Sequence, residues 1–429
     1  MKSKQALAVT FLAIGIAILL RYNYKFFIGY VLFLSVLELA SFSLIKSFRK
    51  DFPWLITPED ELPELSKADL KKFINHGYDT EFGWIRKPCT EKEEIGKFGK
   101  TKYSIDKNGS RKNPGHENLA KKISFYGDSF LFGRQVNDNE TCQWHLSELT
   151  KTNVLNFSVG NYGLDQALLR LKREYPKNKT KVVVIGVVPS TIVRILSVWK
   201  HYNEFGNTFG FKPRFIIKKG KLELIGNPID AESKFGAYKD HLPKIRKYDY
   251  FYKTKFKAEM LSFPYFISII SSPFRNFPLI FLIFKSKWSG KEEKNQVYPA
   301  PMKVIMDINL KLRRRIFEGD PQSVKLLEKV VEEFLIYAKT KNFIPVLLWM
   351  PQKDDLLVIR KKKNTYYQMF INNIQKKLNV VDLTEDLINR NDLDDIFSDD
   401  TEYGGHYSRT GNKLVAEILY RELKEKKII

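Results

Sequence analysis

Hydrophobic residues follow two different patterns along the chain. Within the first fifty residues they form two nearly uncharged runs, at 5–20 and 26–45. Beyond residue 118, short apolar runs alternate with stretches whose apolar residues recur every three or four positions. This alternation is typical of a parallel sheet covered by helices on both faces. The pattern therefore predicts membrane-associated segments followed by an α/β domain.

The α/β part of the pattern predicts a doubly wound sheet of five strands. Strands are expected at 122–126, 153–157, 181–188, 343–350 and 379–383, and the helices between them at 140–150, 164–175, 321–341 and 364–378. We expect three layers, with helices on both sides of a five-stranded parallel sheet.

The two N-terminal runs predict a transmembrane hairpin. The run at 26–45 is long enough to cross a bilayer, which takes about 20 residues, and only Glu38 interrupts it. The run at 5–20 has the length of a cleavable signal, but no small-residue cleavage site follows it. We therefore expect a location in the cell membrane, with Glu38 facing the partner helix. The flanking Lys and Arg residues weakly favour a cytoplasmic C-terminal domain, and the side of the membrane stays open.

A long insert, at about 195–319, interrupts the α/β pattern. Residues 211–224 are predicted to form a β-hairpin with Lys219 and Gly220 at its turn. Residues 260–284 carry one charge and three prolines, which argue against a plain spanning helix. Two interpretations stay open for them: an aromatic-rich insert at the membrane surface, or a helical lid packed on the sheet. The predicted organisation is membrane segments at 1–50, a connector at 51–118 and a catalytic domain at 119–429.

A candidate nucleophile follows the first predicted strand. The strand ends in Gly127-Asp128-Ser129, which places the Ser129 hydroxyl at the start of a helical turn. The carboxyl edge of the sheet is where open α/β proteins keep their chemistry. The alternative is a Gly-Asp turn in which Ser129 only caps a helix.

A candidate base lies near the C-terminus. His406 stands in the glycine-opened stretch 404–412, just before a helix-period run that begins at Lys413. A neutral imidazole at this place could accept a proton from the Ser129 hydroxyl. A surface histidine without a role is the alternative.

Together these stretches resemble the SGNH (GDSL-type) hydrolases, in particular their membrane-anchored members. The resemblance covers roughly residue 78 to the C-terminus, and it rests on Gly127-Asp128-Ser129, residues 156–166, the strand at 182–188, the His406 stretch and the lead-in at 103–111. It implies a flavodoxin-like α/β/α fold and a serine hydrolase acting on ester bonds. In that mechanism Ser129 is the nucleophile and His406 the base.

The resemblance also implies an oxyanion site. Its donors fall on the main-chain N–H groups of Ser129 and Asn161. The family has an asparagine after the third strand, and that position falls on Thr191 here. The loss of one such donor slows an enzyme by about 10²–10³-fold without abolishing its activity.

The acidic partner of His406 departs from the family pattern. The family's Asp three residues before the His falls on Tyr403. We therefore expect the orienting carboxylate to come from Asp400, with Glu402 as a nearby alternative. A backbone carbonyl can also hold the imidazole in place of a carboxylate.

Composition limits the kinds of partner. The net charge is +23, from 72 Lys and Arg residues against 49 Asp and Glu residues, which suits lipid headgroups or acidic polysaccharide. No zinc-finger spacing or RNA-binding motif accompanies this charge, so we expect no nucleic-acid partner. Only Cys89 and Cys142 occur, which excludes a disulfide scaffold and a Cys-based zinc site and leaves their pairing open. No metal or organic cofactor is indicated.

These features lead to one hypothesis and two alternatives. The first is a membrane-anchored serine esterase or acyltransferase that acts on an acylated envelope glycan or its lipid-linked precursor, with the glycan implied by the resemblance alone. The second is a catalytically weakened domain that binds glycan or assists assembly, which Thr191 and Tyr403 favour. The third is a phospholipase or lysophospholipase, which the apolar insert favours.

Overall fold

The computed structural model describes residues 2–52, 55–96, 99–289, 302–399 and 401–429. They form two compact units. The N-terminal unit comprises Met1–Lys67, Trp199–Gly210 and Ala237–Ile308. The sheet unit comprises Ala68–Val198, Phe211–Gly236 and Asn309–Ile429. The division at 50/51 and 118/119 stays a prediction.

The strands of the described chain all lie in the sheet unit. They are β1 (Tyr78–Asp79), β2 (Gly83–Trp84), β3 (Glu91–Gly96), β4 (Gly99–Ser104), β5 (Lys121–Gly127), β6 (Asn153–Asn156), β7 (Val182–Val187), β8 (Arg214–Lys218), β9 (Lys221–Ile225), β10 (Ile344–Trp349) and β11 (Asn379–Asp382). Five of them form one parallel sheet in the order β11-β10-β7-β5-β6. Renumbered within the sheet this order is 2-1-3-4-5, the flavodoxin-like topology. The predicted fold class is confirmed.

The α-helices carry the connections. They are α1 (Lys2–Arg21), α2 (Tyr24–Asp51), α3 (Lys67–His76), α4 (Ser129–Phe132), α5 (Cys142–Thr150), α6 (Leu164–Glu174), α7 (Thr191–Arg194), α8 (Leu242–Tyr248), α9 (Lys257–Glu259), α10 (Tyr265–Ile270), α11 (Pro273–Ser289), α12 (Met302–Gly319), α13 (Pro321–Lys341), α14 (Lys353–Lys362), α15 (Gln368–Gln375), α16 (Thr384–Ile388), α17 (Leu393–Ile396) and α18 (Arg409–Glu425).

The core of the sheet unit explains why the strands were recognisable. Every residue of β7 is buried, and the strand reads Val-Val-Val-Ile-Gly-Val. Burial on both faces of a central parallel strand produces such a continuous apolar run. The predicted hairpin is confirmed as β8 and β9, and both turn residues, Lys219 and Gly220, have positive φ values of 49° and 77°. Two positive φ values are the mark of a tight hairpin turn.

The N-terminal unit contains the two apolar helices. The segments Lys4–Arg21 and Tyr24–Lys50 have mean hydropathies of 1.7 and 2.0, and by length and composition they could span a membrane. The Tyr30 hydroxyl of α2 donates to the Phe11 carbonyl of α1 over 2.7 Å. We expected Glu38 to face the partner helix. Its carboxylate instead accepts the amide N–H groups of Tyr265 and Phe266, over 2.5 and 2.9 Å.

The proline-containing segment forms two helices, α10 and α11. It packs against α2 through a cluster that includes Ile45, Phe48 and Ile283. Its other face is exposed and aromatic, with Phe274 93% and Trp288 92% exposed. The segment is therefore not a single spanning helix, as the prolines indicated.

Candidate active site

The turn after β5 holds Ser129 by a dense set of hydrogen bonds. A Cβ atom on Gly127 would lie 2.1 Å from the Gly186 carbonyl oxygen of β7, so only glycine allows the two strands this close. Asp128 is fully buried, and its carboxylate accepts the N–H groups of Phe130 over 2.9 Å and Val188 over 3.1 Å. Ser129 therefore begins α4 at the edge where the strand order reverses, the usual ligand-binding place in this topology.

Arg194, in the turn after β7, closes this arrangement from the other side. Its Nη1 donates to the Asp128 carboxylate over 2.9 Å and to the Tyr162 carbonyl oxygen over 3.1 Å. One guanidinium thus ties the serine turn to the loop after β6, which contains Gly160 and Asn161. Its charge also balances that of the buried Asp128 carboxylate.

The loop after β6 runs beside Ser129. The point at which a Gly160 Cβ would stand lies 3.9 Å from Ser129 Cβ. Asn161 follows it with a φ of 65° and an exposed side chain. Within the described part of the chain, the amide N–H groups of Ser129, Gly160 and Asn161 have no hydrogen-bond partner. Unpaired amides around a serine are the donors that an oxyanion site requires.

Thr191 is fully buried at the start of α7. Its hydroxyl oxygen accepts the Leu164 N–H over 2.8 Å, at the first turn of α6. The described contact therefore connects Thr191 to the helix that follows the Asn161 loop. The hydroxyl proton is not used in this contact, so its part as an oxyanion donor stays a prediction.

His406 is held by the loop that precedes it. Its backbone N–H donates to the Ser398 hydroxyl over 2.9 Å, and its carbonyl oxygen accepts the Ser398 N–H over 2.7 Å. The imidazole ring centre lies 4.9 Å from that of Phe130, the residue after Ser129. The fold thus brings together residues that are 277 positions apart in the sequence, from Ser129 to His406.

Gln135 fixes the imidazole. Nδ1 of His406 lies 3.0 Å from the Gln135 amide oxygen, which also accepts the Ser398 hydroxyl proton over 2.6 Å. The Gln135 amide nitrogen donates to the Ile95 carbonyl oxygen over 3.3 Å, which sets the orientation of the amide. Because an amide oxygen carries no proton, Nδ1 is the donor, and Nε2 is left as the acceptor that a general base needs.

The surroundings of His406 favour its neutral form. Burial lowers the pKa of His406 well below its usual value, and the charges of Arg134, Arg194 and Arg86 lower it further. A low pKa keeps the imidazole unprotonated at neutral pH.

The acidic partner stays unassigned. Asp400 lies outside the described residues. The Asp399 carboxylate accepts the Thr401 N–H over 2.7 Å, and Glu402 is exposed. Among the described residues, the hydrogen-bond partner of His406 Nδ1 is the amide of Gln135. The Ser129 hydroxyl has no hydrogen-bond partner there, and such contacts often form only when substrate binds.

Sequence reasoning missed Gln135 and the arginines that surround the site. Gln135 has a left-handed φ of 65° and follows Gly133, whose φ is 78°. The Gly-Arg-Gln sequence directly after the serine turn is the one local sign that the chain bends here. Nothing local indicates that this bend points the Gln135 side chain at His406, 271 residues away.

The described residues contain no group of three or more His, Cys, Asp or Glu side chains placed to hold a metal ion. Cys89 is exposed and Cys142 is buried, and both are free thiols. Burial raises the pKa of the Cys142 thiol, so this thiol is unreactive.

Comparisons with known proteins give structural similarity at low identity. No protein-family model and no curated protein matches the chain. One similar solved structure is a lipolytic protein of the G-D-S-L family from Desulfitobacterium hafniense DCB-2, at 13% identity and a TM-score of 0.33, covering 70% of this chain and 99% of that one. Another is an acetyl xylan esterase, at 12% identity and a TM-score of 0.34, covering 70% and 98%. A lipase/acylhydrolase from Enterococcus faecalis is similar at 13% identity and a TM-score of 0.30, covering 72% and 97%.

Proposed function

We propose that this chain is a membrane-anchored serine esterase or acyltransferase that acts on an acylated envelope glycan or its lipid-linked precursor. The observation that carries the proposal is the hydrogen bond from His406 Nδ1 to Gln135 Oε1, 3.0 Å long. It sets the tautomer in which Nε2 can accept a proton, beside the turn that holds Ser129.

The reaction follows from these groups. The Ser129 hydroxyl oxygen attacks the acyl carbon of the ester while His406 Nε2 takes the hydroxyl proton. The N–H groups of Ser129 and Asn161 stabilise the negative oxygen that forms, with Thr191 as a further donor. Cleavage of the ester C–O bond then releases the alcohol, which takes the proton back from His406, and leaves the acyl group on Ser129.

The second half of the reaction regenerates the serine. Water or a sugar hydroxyl gives its proton to His406 Nε2 and attacks the acyl carbon. The bond between the acyl group and the Ser129 oxygen breaks, and the protonated imidazole returns its proton to that oxygen. Water yields hydrolysis and a sugar hydroxyl yields transfer. In this scheme Gln135 orients His406, and Asp400 stays a proposed carboxylate for the same role.

The membrane location rests on α1 and α2 together with the insert. The exposed aromatic side chains of α11 lie in the same unit as the two apolar helices. Aromatic side chains are favourable in the headgroup region of a bilayer. This location supports a membrane-delivered substrate, and membrane lipid is accordingly a proposed partner.

The test is intact-mass analysis of the detergent-purified full chain after treatment with a fluorophosphonate probe. We expect one adduct on the wild type and none on Ser129→Ala. His406→Ala should slow labelling by about 10²-fold or more, because general-base assistance is lost. His145→Ala is the matched control, since His145 lies on α5 outside the site. Labelling of Ser129→Ala at the wild-type rate would contradict the proposal.

Substrate screening separates the ester classes. Cleavage of acetylated oligosaccharides without cleavage of phospholipid supports the glycan assignment. Cleavage of phospholipid without cleavage of acetylated oligosaccharides would instead identify the protein as a phospholipase.

A binding or assembly role is the second candidate. It is favoured by the amide, rather than a carboxylate, at His406 Nδ1 among the described residues. A folded wild type that gives no adduct, together with full cellular function of Ser129→Ala, would establish this role over the enzymatic one.

A further inference from the structure

Arg86 places a positive charge at the candidate site. Its Nη1 donates to the Tyr103 hydroxyl. The guanidinium carbon lies 4.3 Å from the centre of the Tyr103 ring and 4.0 Å from that of Phe132. Stacking between aromatic rings fixes the position of a guanidinium without neutralising it. Within the described part of the chain, Arg86 forms no ion pair with a carboxylate.

The remaining donors of Arg86 lie on one edge of the guanidinium. Its Nε is buried without a hydrogen-bond partner, and its Nη2 has no hydrogen bond to any described residue. These two nitrogens form the side-on fork that matches the two oxygens of a carboxylate or phosphate. A buried fork of this kind is costly unless something binds to it.

The other two arginines near His406 have carboxylate partners. Arg134 donates to Glu94 over 2.9 Å, and Arg194 donates to Asp128 over 2.9 Å. Among the described residues, Arg86 is therefore the one of these three arginines that forms no ion pair with a carboxylate. Burial lowers the pKa of Arg86 to about 9, which leaves it protonated at neutral pH. The charge of Glu94 raises the pKa of Arg86, so this carboxylate attracts Arg86 only from a longer distance.

Arg86 and Ser129 face the same space. From the point where a Gly160 Cβ would stand, Arg86 Nη2 lies 3.8 Å away and Ser129 Cβ lies 3.9 Å away. Apart from Gly160 and its two chain neighbours, no other atom of the described residues lies within 4 Å of that point. A group bound to Arg86 would therefore sit next to an ester that Ser129 attacks.

We propose that Arg86 forms an anion subsite beside Ser129, so that the protein prefers esters whose acyl or alcohol part carries a carboxylate or phosphate near the scissile bond. This inference rests on the proposed esterase function. The bound anion would supply an ion-pair partner for Arg86. It would also offset the three arginines around His406, so turnover as well as affinity depends on it.

The test compares matched substrates on the purified full chain. One pair places the anion on the acyl side: 4-nitrophenyl hemisuccinate against 4-nitrophenyl methyl succinate. The other places it on the alcohol side: O-acetylated glucuronic acid against O-acetylated glucose. We expect kcat/KM to favour the anionic member of one pair by about 100-fold, the range that a desolvated charge pair gives.

Variants assign the preference to Arg86. Arg86→Met should bring the anionic-to-neutral ratio of kcat/KM close to one, and because the ratio compares two esters on the same variant, a general loss of activity does not change it. Arg86→Lys should restore part of the ratio, because it keeps the charge without the fork. Arg390→Met is the matched control, since Arg390 pairs with Asp392 at the surface, and it should leave the ratio unchanged.

The outcomes separate the two proposals. Equal rates within both pairs, with a fluorophosphonate adduct on Ser129, would overturn the anion subsite and leave the esterase function intact. A preference that persists in Arg86→Met would also overturn it. No adduct and no cleavage of any ester would contradict the esterase function itself.

Discussion

Nδ1 of His406 lies 3.0 Å from the side-chain oxygen of Gln135. An amide here accepts the same hydrogen bond as the carboxylate of a catalytic triad, but it carries no charge. It therefore fixes the tautomer of the imidazole without stabilising the imidazolium that forms during the reaction. Because of this difference, the role of Gln135 can be measured through the rate and the pH dependence of its variants.

Substitution of Gln135 should change both rate and pH dependence. Gln135→Ala should lower kcat by about 100-fold, because the imidazole is then free to adopt the wrong tautomer; an enforced wrong tautomer costs about 10⁴-fold. Gln135→Glu should instead raise the pKa of His406, since an adjacent carboxylate stabilises the cation, and move the acid limb of kcat/KM upward by about 1–3 pH units. A pH–rate profile of each variant measures both the change in kcat and the shift of the acid limb. If the acid limb of Gln135→Glu coincides with that of the wild type, Gln135 does not contact the catalytic imidazole.

The wild type should remain active in mild acid. A base works in its unprotonated form, so activity is lost as the pH falls through its pKa. Burial and three arginines hold the pKa of His406 well below its usual value of about 6.5. We therefore expect kcat/KM at pH 5.5 to stay within about twofold of its value at pH 7.5.

A second variant tests whether the nearby arginines cause the low pKa of His406. Arg134→Gln removes one of the cations that lower the pKa of His406, so its acid limb should move to higher pH. An acid limb near pH 6.5 or above in the wild type would show that His406 titrates as an ordinary exposed histidine.

Arg194 should contribute to both stability and rate. Arg194→Met leaves the fully buried Asp128 carboxylate without its cation. Breaking such a pair costs about 3–5 kcal/mol, and the loss should also disturb the turn that carries Ser129. Thermal unfolding in detergent and kcat measure the two effects. Arg390→Met breaks an exposed pair and should change the stability by less than about 1 kcal/mol. Equal stability of the two variants would contradict the assigned role of Arg194.

The aromatic face of α11 should contact lipid. In liposomes containing a photoactivatable phospholipid, we expect adducts on peptides from α11 as well as from α1 and α2. The double variant Phe274→Ser and Phe281→Ser should reduce the α11 adducts several-fold, because it removes exposed apolar area. The peptide that contains Met369, an exposed residue of the sheet unit, is the internal control and should carry no lipid adduct. Absence of adducts on α11 in the wild type would favour the interpretation as a protein-covered lid.

The sheet was predictable because its signal is local. β7 and β10 are buried on both faces, so each reads as a short apolar run between helix-period stretches. The serine turn was predictable for a similar reason, since Gly127 is required where β5 approaches β7. Helix ends were less certain: α15 begins at Gln368, four residues later than the pattern indicates.

The surroundings of the serine were not predictable, because they depend on tertiary contacts. Arg86 belongs to the segment interpreted as a connector, and its place beside Gly160 arises only when the chain folds. Glu38 binds backbone amides more than 220 residues away, at Tyr265 and Phe266. Single-sequence patterns carry no information on such pairs.

A buried ion-pair cluster shows how a charged run can mislead. Arg313, part of a run of three arginines, is buried, and its guanidinium contacts the carboxylates of Asp354 over 2.5 Å and Asp355 over 2.6 Å. The Tyr366 hydroxyl also donates to Asp355, over 2.5 Å. In the sequence, such a run only adds to the net charge of +23. Its first member, Arg313, holds α12 against the first turn of α14.

Arg313→Met should therefore destabilise the sheet unit strongly. The variant leaves two buried carboxylates without a cation, which costs about 3–5 kcal/mol, whereas Arg315→Met, at an exposed neighbouring position, should cost less than about 0.5 kcal/mol. Thermal unfolding in detergent, followed by tryptophan fluorescence, compares the two. Adding Asp354→Asn to Arg313→Met should recover part of the loss, because one of the stranded charges is removed. Without such recovery, the destabilisation would come from lost packing of the long side chain rather than from its charge.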